Sequence, residues 1–474
     1  MGLFAEWDFD GETLTARVDA LGFYSLFYCE EPGAISVSSS PIQLIAEGAP
    51  ADLDDEALAV FLRIGLFVGE TTPFARIRVL PPGGVLTWTD GRLEVTRADV
   101  VVEEASMTRE AAVEGFAEGT REATRRCLQS YDGELILPLS GGRDSRHILF
   151  ELARHERLPR ECITYHHGGA VDNAEAEAAA RVAERVGASH RLLSSARSRY
   201  PDVLRTLLVT HLCSDEHAQM LPLREHAGDS GCATLDGIAG DVLSRNGGFT
   251  NVRAHELCRR GAFEDVARGE IEGHARVTNA RPEDVWGEET ARRRFPEDAA
   301  VAAIAAQLAR FESAADPFTS YLFWNRTRRE INLVPTAVLS TVPVVLCPYL
   351  DHDLARFLLS VPFEITRDAK FHDAAIDAAF PEHTDLPYYN QLGDAPAPRS
   401  SVGSRLRTAA GALAMVARVA PSRFVSDGPG LLGIGTPARA RKAHGLHRYY
   451  RMCLEPMDRA FARKLLRVGA SLDG

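Results

Sequence analysis

Up to about residue 105 the apolar positions of this chain fall in short runs broken by turn residues; beyond it, short apolar runs alternate with longer helix-like stretches. In the first part, residues 21–29 (Leu-Gly-Phe-Tyr-Ser-Leu-Phe-Tyr-Cys) and 35–39 have strand composition and are joined by the turn-like Glu-Glu-Pro-Gly. Residues 54–65 predict an amphipathic helix with Asp52 or Asp54 as its N-cap. Leu80-Pro-Pro-Gly-Gly-Val-Leu reads as a turn feeding a strand over 85–89. A helical pattern over 107–129 then leads to an apolar run at 135–139, which suits a buried parallel strand, and a helix-like pattern restarts at 147–152. A strand at 161–165, an Ala/Glu/Arg-rich helix at 173–186 capped by Gly187, and strands at 190–193 and 232–235 continue the alternation. This order predicts a doubly wound, mostly parallel α/β sheet preceded by a smaller β-rich domain. The expected divisions are 1–105, 106–425 and a C-terminal extension at 426–474, with Pro/Gly/Ser-rich linkers at 393–401 and 426–437. Residues 250–320 read as helical and charged, 323–333 as a basic helix face, and 445–466 as a basic, aromatic helical segment placed to close over a cleft.

Composition narrows the partners. A chain of 474 residues is too long for one core, and 45% hydrophobic with 25% charged residues is ordinary for a soluble globular protein. The net charge of −13 disfavours nucleic acid, whose phosphates are bound through surplus Lys and Arg. No run of about 20 apolar residues predicts a membrane span, and the first ten residues carry early acids and no long apolar run, so no signal peptide is expected. The eight cysteines are scattered with no Cys-x-x-Cys pair, which predicts reduced, mostly buried thiols in a cytoplasmic protein and no zinc site.

Chemistry concentrates after the run at 135–139, where Ser140-Gly-Gly-Arg-Asp144-Ser145 precedes a helix. Strand, glycine loop and helix N-terminus form a cradle for a polyphosphate: glycines permit a sharp turn and close backbone approach, and free N–H groups with the helix dipole attract anionic oxygens. Ser140 and Ser145 offer hydroxyls. Asp144 would repel phosphate, so its carboxylate makes sense there as a magnesium ligand. The Lys-Ser/Thr that follows the last glycine of the other common phosphate loop is absent.

Ser-Gly-Gly-x-Asp-Ser resembles the pyrophosphate loop of N-type ATP pyrophosphatases, which split ATP between the α and β phosphates. Asp19-x-x-Gly22…Leu26-Phe-Tyr28, then 38–44, then Phe74…Ile77…Leu80-Pro-Pro-Gly83, is similar to the second half of the class II glutaminase domain of asparagine synthetases. A working domain of that kind begins with a cysteine directly after the initiator Met. Gly2 stands there, Cys29 falls in a strand pattern as a core thiol, and the first half of the domain is missing, so residues 1–105 are expected to be a truncated, non-catalytic remnant.

Within the same resemblance, Asp236-Gly-x-x-Gly-Asp241 is similar to the family's second aspartate loop, which implies Asp241 as a second magnesium ligand beside Asp144. The family's Glu or Tyr that serves deprotonation of the attacking nitrogen is replaced by Ile238. The segment 344–361 resembles the family's Pro-Phe-Leu-Asp…Leu-Pro signature, with Asp351 as a helix N-cap. Lys370 stands where the family has a lysine reaching the pyrophosphate; the later Arg-x-Lys is absent, and Pro387-Tyr-Tyr-Asn stands near its place. Glu330 is either a base-orienting carboxylate or half of a surface ion pair with a neighbouring Arg. His166 and His167 either line the adenosine pocket or meet solvent at a strand end.

The resemblance implies an adenine nucleotide alpha hydrolase-like fold that uses ATP and Mg²⁺. It implies nucleotide contacts at Leu139, Ser140, Gly141, Gly142, Asp144, Ser145, His167, Gly168, Asp236 and Gly237, metal ligation by Asp144 and Asp241, and catalytic roles for Lys370 and Glu330. The expected activity is adenylation of a small-molecule or peptide carboxylate and its joining to an amine without glutamine, in specialised-metabolite or peptide biosynthesis, as in β-lactam synthetases and lasso-peptide cyclases. A non-catalytic ATP-binding scaffold and a tRNA-modifying adenylating enzyme are the alternatives, and the oligomeric state, a homodimer included, stays open.

Overall fold

The computed structural model describes residues 2–167, 173–195, 199–214, 216–246, 249–278, 281–392, 402–420 and 441–470. Seven short strands come first: β1 (Ala5–Phe9), β2 (Thr13–Val18), β3 (Phe27–Glu31), β4 (Ala34–Ser38), β5 (Ile77–Val79), β6 (Val85–Thr89) and β7 (Arg92–Thr96). They form two antiparallel sheets, β1-β2-β6-β7 and β4-β3-β5, and Ala16, Val18, Leu26, Leu80 and Leu86 are buried in one small core. Between β4 and β5 lie α1 (Pro41–Glu47) and α2 (Asp55–Ile64). Asp54, not Asp52, caps α2 by accepting the Ala57 N–H at 3.0 Å.

The strand expected over 21–29 starts only at Phe27. Residues 21–26 instead wrap the buried Asp19 carboxylate, which accepts the N–H groups of Leu21, Phe23 and Tyr24 at 3.1, 3.3 and 3.1 Å. A carboxylate that captures three backbone donors removes them from any ladder and commits the segment to a loop.

After α3 (Arg109–Ser130) the third sheet begins. Its strands are β8 (Leu135–Pro138), β9 (Glu161–His167), β10 (His190–Ser195), β11 (Ala233–Leu235) and β12 (Val345–Leu346), in the order β10-β9-β8-β11-β12 with every pairing parallel. Central β8 is flanked by β9 and β11, with Ile136 opposite both Glu161 and Thr234. Helices α4 (Asp144–Arg154) and α5 (Ala174–Val186) follow β8 and β9. The order turns back at β8, and a sheet of this topology leaves its crevice at the carboxyl ends of the strands beside that switch. All eight cysteines are free thiols, buried or half-buried. Among the described residues no helix is long and apolar enough to cross a membrane.

The segment expected as a basic helix face is Leu322–Ile331, wound with i→i+5 bonds; at its end the Asn332 N–H donates to the Thr327 carbonyl at 2.9 Å. Two of its basic residues are buried: Arg328 and Arg329 are 2% and 3% exposed. Arg328 donates to the Leu80 carbonyl at 3.0 Å, and Arg329 to the carbonyls of Gly69 and Thr71 at 2.6 and 2.8 Å. Asn325 accepts the Gly69 N–H at 2.7 Å, and Asn332 donates to the Phe23 carbonyl at 2.8 Å. Loop carbonyls of the N-terminal β region thus consume the guanidinium donors. Gly22 has φ +62°, and a Cβ there would lie 2.8 Å from Pro82 Cα and 3.1 Å from Arg328 Nε, so this turn must be glycine for the grip to close.

The C-terminal helices Arg441–Leu454 and Arg459–Ala470 pack away from the crevice. Tyr450 stacks on Phe61 of α2 at 4.7 Å and donates to the Leu212 carbonyl at 2.9 Å, while Arg459 and Arg463 each donate to the Ala46 carbonyl at 3.1 Å. Their aromatic residues are spent on the N-terminal region and not on a lid over the cleft. The stretches 393–401 and 426–437 lie outside the described residues.

Arg329→Met is expected to leave two buried carbonyls without donors and to lower stability by about 2–4 kcal/mol, read as a lower urea midpoint. A midpoint equal to wild type would show that this contact is not needed to hold the two parts together.

Candidate active site

A cleft of about 800 Å³ opens at the carboxyl ends of β8, β9 and β11. Leu139, Ser140, Asp144 and Ser145 border it after β8, Thr164 and Tyr165 on β9, and Asp236, Gly237, Ile238, Ala239 and Asp241 after β11. Arg326 and Thr327 of the i→i+5 helix close one wall, and Arg326 is the one Lys or Arg among the described residues bordering the cleft.

The loop after β8 is held by its own side chains. Ser145 Oγ accepts the Ser140 N–H at 3.0 Å, and Ser140 Oγ accepts the Gly142 N–H at 3.2 Å. Neither Gly141 nor Gly142 adopts a left-handed φ. The need for glycine at 141 is one of space: a Cβ would lie 2.6 Å from Tyr389 Cβ and 3.1 Å from Glu175 Cα. Tyr389 donates its N–H to the Gly141 carbonyl at 3.2 Å. Buried Arg146 donates to the carbonyls of Leu386 and Pro387 at 3.0 and 2.6 Å, and Arg143 and Arg146 lie over the Tyr388 ring at 4.4 and 4.0 Å. Pro387-Tyr-Tyr is therefore fastened onto the loop.

Three aspartates meet in the cleft, and Glu175 also borders it. Gly237 and Gly240 let the loop after β11 lie directly on Asp144: a Cβ at Gly237 would meet Asp144 Cβ at 2.8 Å, and one at Gly240 would meet Asp144 Cγ at 2.7 Å. The Asp-Gly-x-x-Gly-Asp spacing thus seats one aspartate loop on the other. Ala239, between the two glycines, is held at φ +75°, a strained conformation for alanine. Burial pushes Asp144 up to about 7, against the opposing pull of the Asp241 N–H and the Arg143 charge. Burial, with the neighbouring carboxylates adding to it, raises Asp236 and Asp241 to about 6.

This set fits magnesium. Asp144 Oδ1 is buried without a hydrogen-bond partner, and the donors are hard carboxylate oxygens. Among the described residues no group of three or more His, Cys, Asp or Glu is arranged to hold a metal by itself.

Of the other residues singled out from sequence, Gly141 and Gly142 sit in the loop but do not border the cleft. His167 ends β9; the side chains of His166 and His167, and Gly168, lie outside what is described. Lys370 is exposed just before the helix Phe371–Ala379 and does not border the cleft; its N–H bonds Asp368 Oδ1 at 3.0 Å. Glu330 is 2% exposed and lies 3.9 Å from Arg326, so that pair is not a surface one. Arg326 also meets Glu216 at 3.5 Å and lies over the Phe249 ring at 5.3 Å. Sequence reasoning passed over His217, which borders the cleft at φ +68°, and His372, whose Nδ1 is 3.3 Å from Asp144 Oδ1. Only the closeness of His372 to Lys370 in sequence marked it.

A family model described as asparagine synthase matches residues 115–370, just over half of the chain. No curated protein matches it.

Two outcomes follow from the carboxylate geometry. Gly240→Ala should press on Asp144, cost about 1–3 kcal/mol in thermal unfolding and displace the carboxylate; a variant as stable as wild type would refute the close contact. The second outcome concerns pH. All three carboxyls are raised, so the folded chain holds their protons more tightly than the unfolded chain. Their contribution to stability is full below about pH 4 and is lost as pH rises through 6 to 7. Asp144→Asn cannot ionise and should flatten that fall in metal-free thermal melts; an unchanged slope would show that Asp144 titrates at its ordinary value.

Proposed function

The chain belongs to the asparagine synthase family of ATP-using amidating ligases, and on that premise we propose that it adenylates a substrate carboxylate and passes the acyl group to an amine supplied by a substrate, not by glutamine. The observation that carries this reading is the meeting of Asp144, Asp236 and Asp241 in a cleft beside the Ser140–Ser145 loop.

In this reading a carboxylate oxygen attacks the α-phosphorus of ATP and the α–β bridge breaks, releasing pyrophosphate. The amine then attacks the acyl carbon, loses a proton and expels AMP. The loop and the start of α4 hold the phosphates through backbone N–H groups and the helix dipole. Thr164 and Tyr165 border the side of the cleft that would take the nucleoside. Asp144 and Asp241 would hold Mg²⁺, which when bound neutralises charge on the departing pyrophosphate. Arg326 borders the cleft and supplies a fixed positive charge, with Glu330 orienting it. Lys370 is the second candidate for that charge. Ile238 cannot take the amine's proton, and His217 is the imidazole bordering the same space.

Independence from glutamine is supported by Cys29. It is the one cysteine in residues 1–105, it is 2% exposed in β3, and burial raises its thiol pKa. A thiol held neutral in a core is no nucleophile.

The test is ATP–pyrophosphate exchange across a panel of carboxylic acids. At least one acid should support exchange, and Asp144→Asn and Asp241→Asn should each lower it by roughly 10²-fold or more. Arg326→Ala and Lys370→Ala, compared in single-turnover AMP formation, identify which cation serves the leaving group. Exchange that survives both aspartate substitutions would refute the assignment, and no exchange with any acid would favour the scaffold reading. Label from glutamine's amide nitrogen in the product would overturn the amine assignment.

A further inference from the structure

The segment Asp-Ala-Lys370-Phe-His372 carries two polar side chains with opposite fates. Lys370 is exposed, whereas His372 is 1% exposed and lies behind the carboxylate loop. Its Nδ1 is 3.3 Å from Asp144 Oδ1, and neither of these two buried atoms has a hydrogen bond as placed, so each is the nearest polar atom available to the other. On the other edge of the ring, His372 Nε2 lies 3.2 Å from His147 Nδ1 and 3.3 Å from the Tyr349 hydroxyl. His147 is on α4, one turn after Asp144, and is fully buried. Phe116 packs against both imidazoles, with ring centroids 4.7 Å from His372 and 5.8 Å from His147.

Proton positions follow from counting donors. Both rings are buried, and a neutral imidazole has one N–H and one lone pair to place. With the His372 proton on Nδ1, that nitrogen donates to Asp144 and Nε2 accepts from His147 Nδ1–H. The Tyr349 hydroxyl is then free to donate to the Asp144 backbone carbonyl, 3.3 Å away. His372 then has a donor facing Asp144 and an acceptor facing His147, while the Tyr349 hydroxyl oxygen lies 3.3 Å from Nε2 as a second acceptor. The other tautomer would set a nitrogen lone pair against the ionised Asp144 oxygen.

We infer that His372 is a positioning residue for Asp144, the donor end of a buried chain from His147 through His372 that fixes the carboxylate's orientation for the metal. This rests on the reading of Asp144 as a magnesium ligand. The arrangement reverses the usual one, in which a carboxylate orients a metal-binding histidine, but the physical effect is the same: a ligand with one oxygen tied down loses less freedom when it binds. It also explains why a helix beginning at Phe371 is packed so closely against α3 and α4. The imidazole must reach Asp144 from the side away from the cleft, because the cleft side is taken by the loop after β11.

The full-length protein is freed of divalent metal, and Mn²⁺ with ATP serves as the probe, with free Mn²⁺ read by electron paramagnetic resonance. His372→Leu should weaken Mn²⁺·ATP binding by about 10–100-fold. His372→Asn, whose amide nitrogen falls near the place of Nδ1, should recover most of the loss, and His372→Gln, which reaches the place of Nε2, should not. If the Leu variant does not fold, the Asn and Gln variants carry the comparison, and equal binding by the two overturns the inference. Asp144→Asn separates the two levels. Loss of Mn²⁺ in Asp144→Asn with wild-type binding in His372→Leu overturns the positioning role alone. Wild-type binding in Asp144→Asn overturns the metal-ligand reading and the inference with it.

Discussion

Three half-buried carboxylates crowded into one cleft are the constraint around which this end of the sheet is built. Burial raises all three, the Asp144 charge adds to it at Asp236 and Asp241, and Arg143 and Arg326 offset part of it. Arg143, the nearest in sequence, is engaged with Asp373 and Tyr388. Such a site is unfavourable until a cation enters it, so the scaffold has to hold it shut by packing. Gly237 and Gly240 supply that by removing the Cβ atoms that would part the two loops, and buried Tyr349 closes the far side at 3.0 Å from the Cβ position of Gly240.

The N-terminal β region takes on a mechanical meaning in the same frame. Its two family-like motifs meet each other: the Gly83 N–H donates to the Asp19 carbonyl at 3.0 Å, and both turns rest on Arg328. Both turns serve as the docking surface for the helix that carries Arg326. One side of that helix holds the β region through Asn325, Arg328 and Arg329, and another presents Arg326, Thr327 and Ile331 to the cleft. The β region thereby sets where the wall of the cleft stands.

Much of this architecture was legible in the chain. The alternation after residue 105, the capping roles of Asp54 and Asp351, and the loop between β8 and α4 all follow from local signals: periodicity, side-chain acceptors at helix starts, and glycine. Asp351 accepts the N–H groups of Asp353 and Leu354 at 3.1 and 3.2 Å, as an N-cap should. What escaped was decided by partners distant in sequence. Residues 21–26 have strand composition, but Asp19 holds their donors. Residues 323–333 read only as a basic helix face because nothing local shows the carbonyls about 250 residues earlier that bury Arg328 and Arg329. The glycines at 141 and 142 suggested a sharp turn closely approached by a ligand; at Gly141 the close approach is made by Tyr389, which comes far later in the chain. His372 was hidden for the same reason, since its partners Asp144 and His147 come from another helix.

The i→i+5 winding of Leu322–Ile331 bears on how this protein can change over evolutionary time. A turn of this kind carries one residue more than an α-helical turn would need, and the surplus lets the same short stretch address the β region and the cleft together. Loss of a single residue would relax the segment to ordinary α-helix and rotate everything beyond the loss by about 100°, turning Arg326 and its neighbours out of step with one surface or the other. A change of letter at Asn325, Arg328 or Arg329 disturbs the hold on the β region alone, whereas a change of length is felt by both surfaces together.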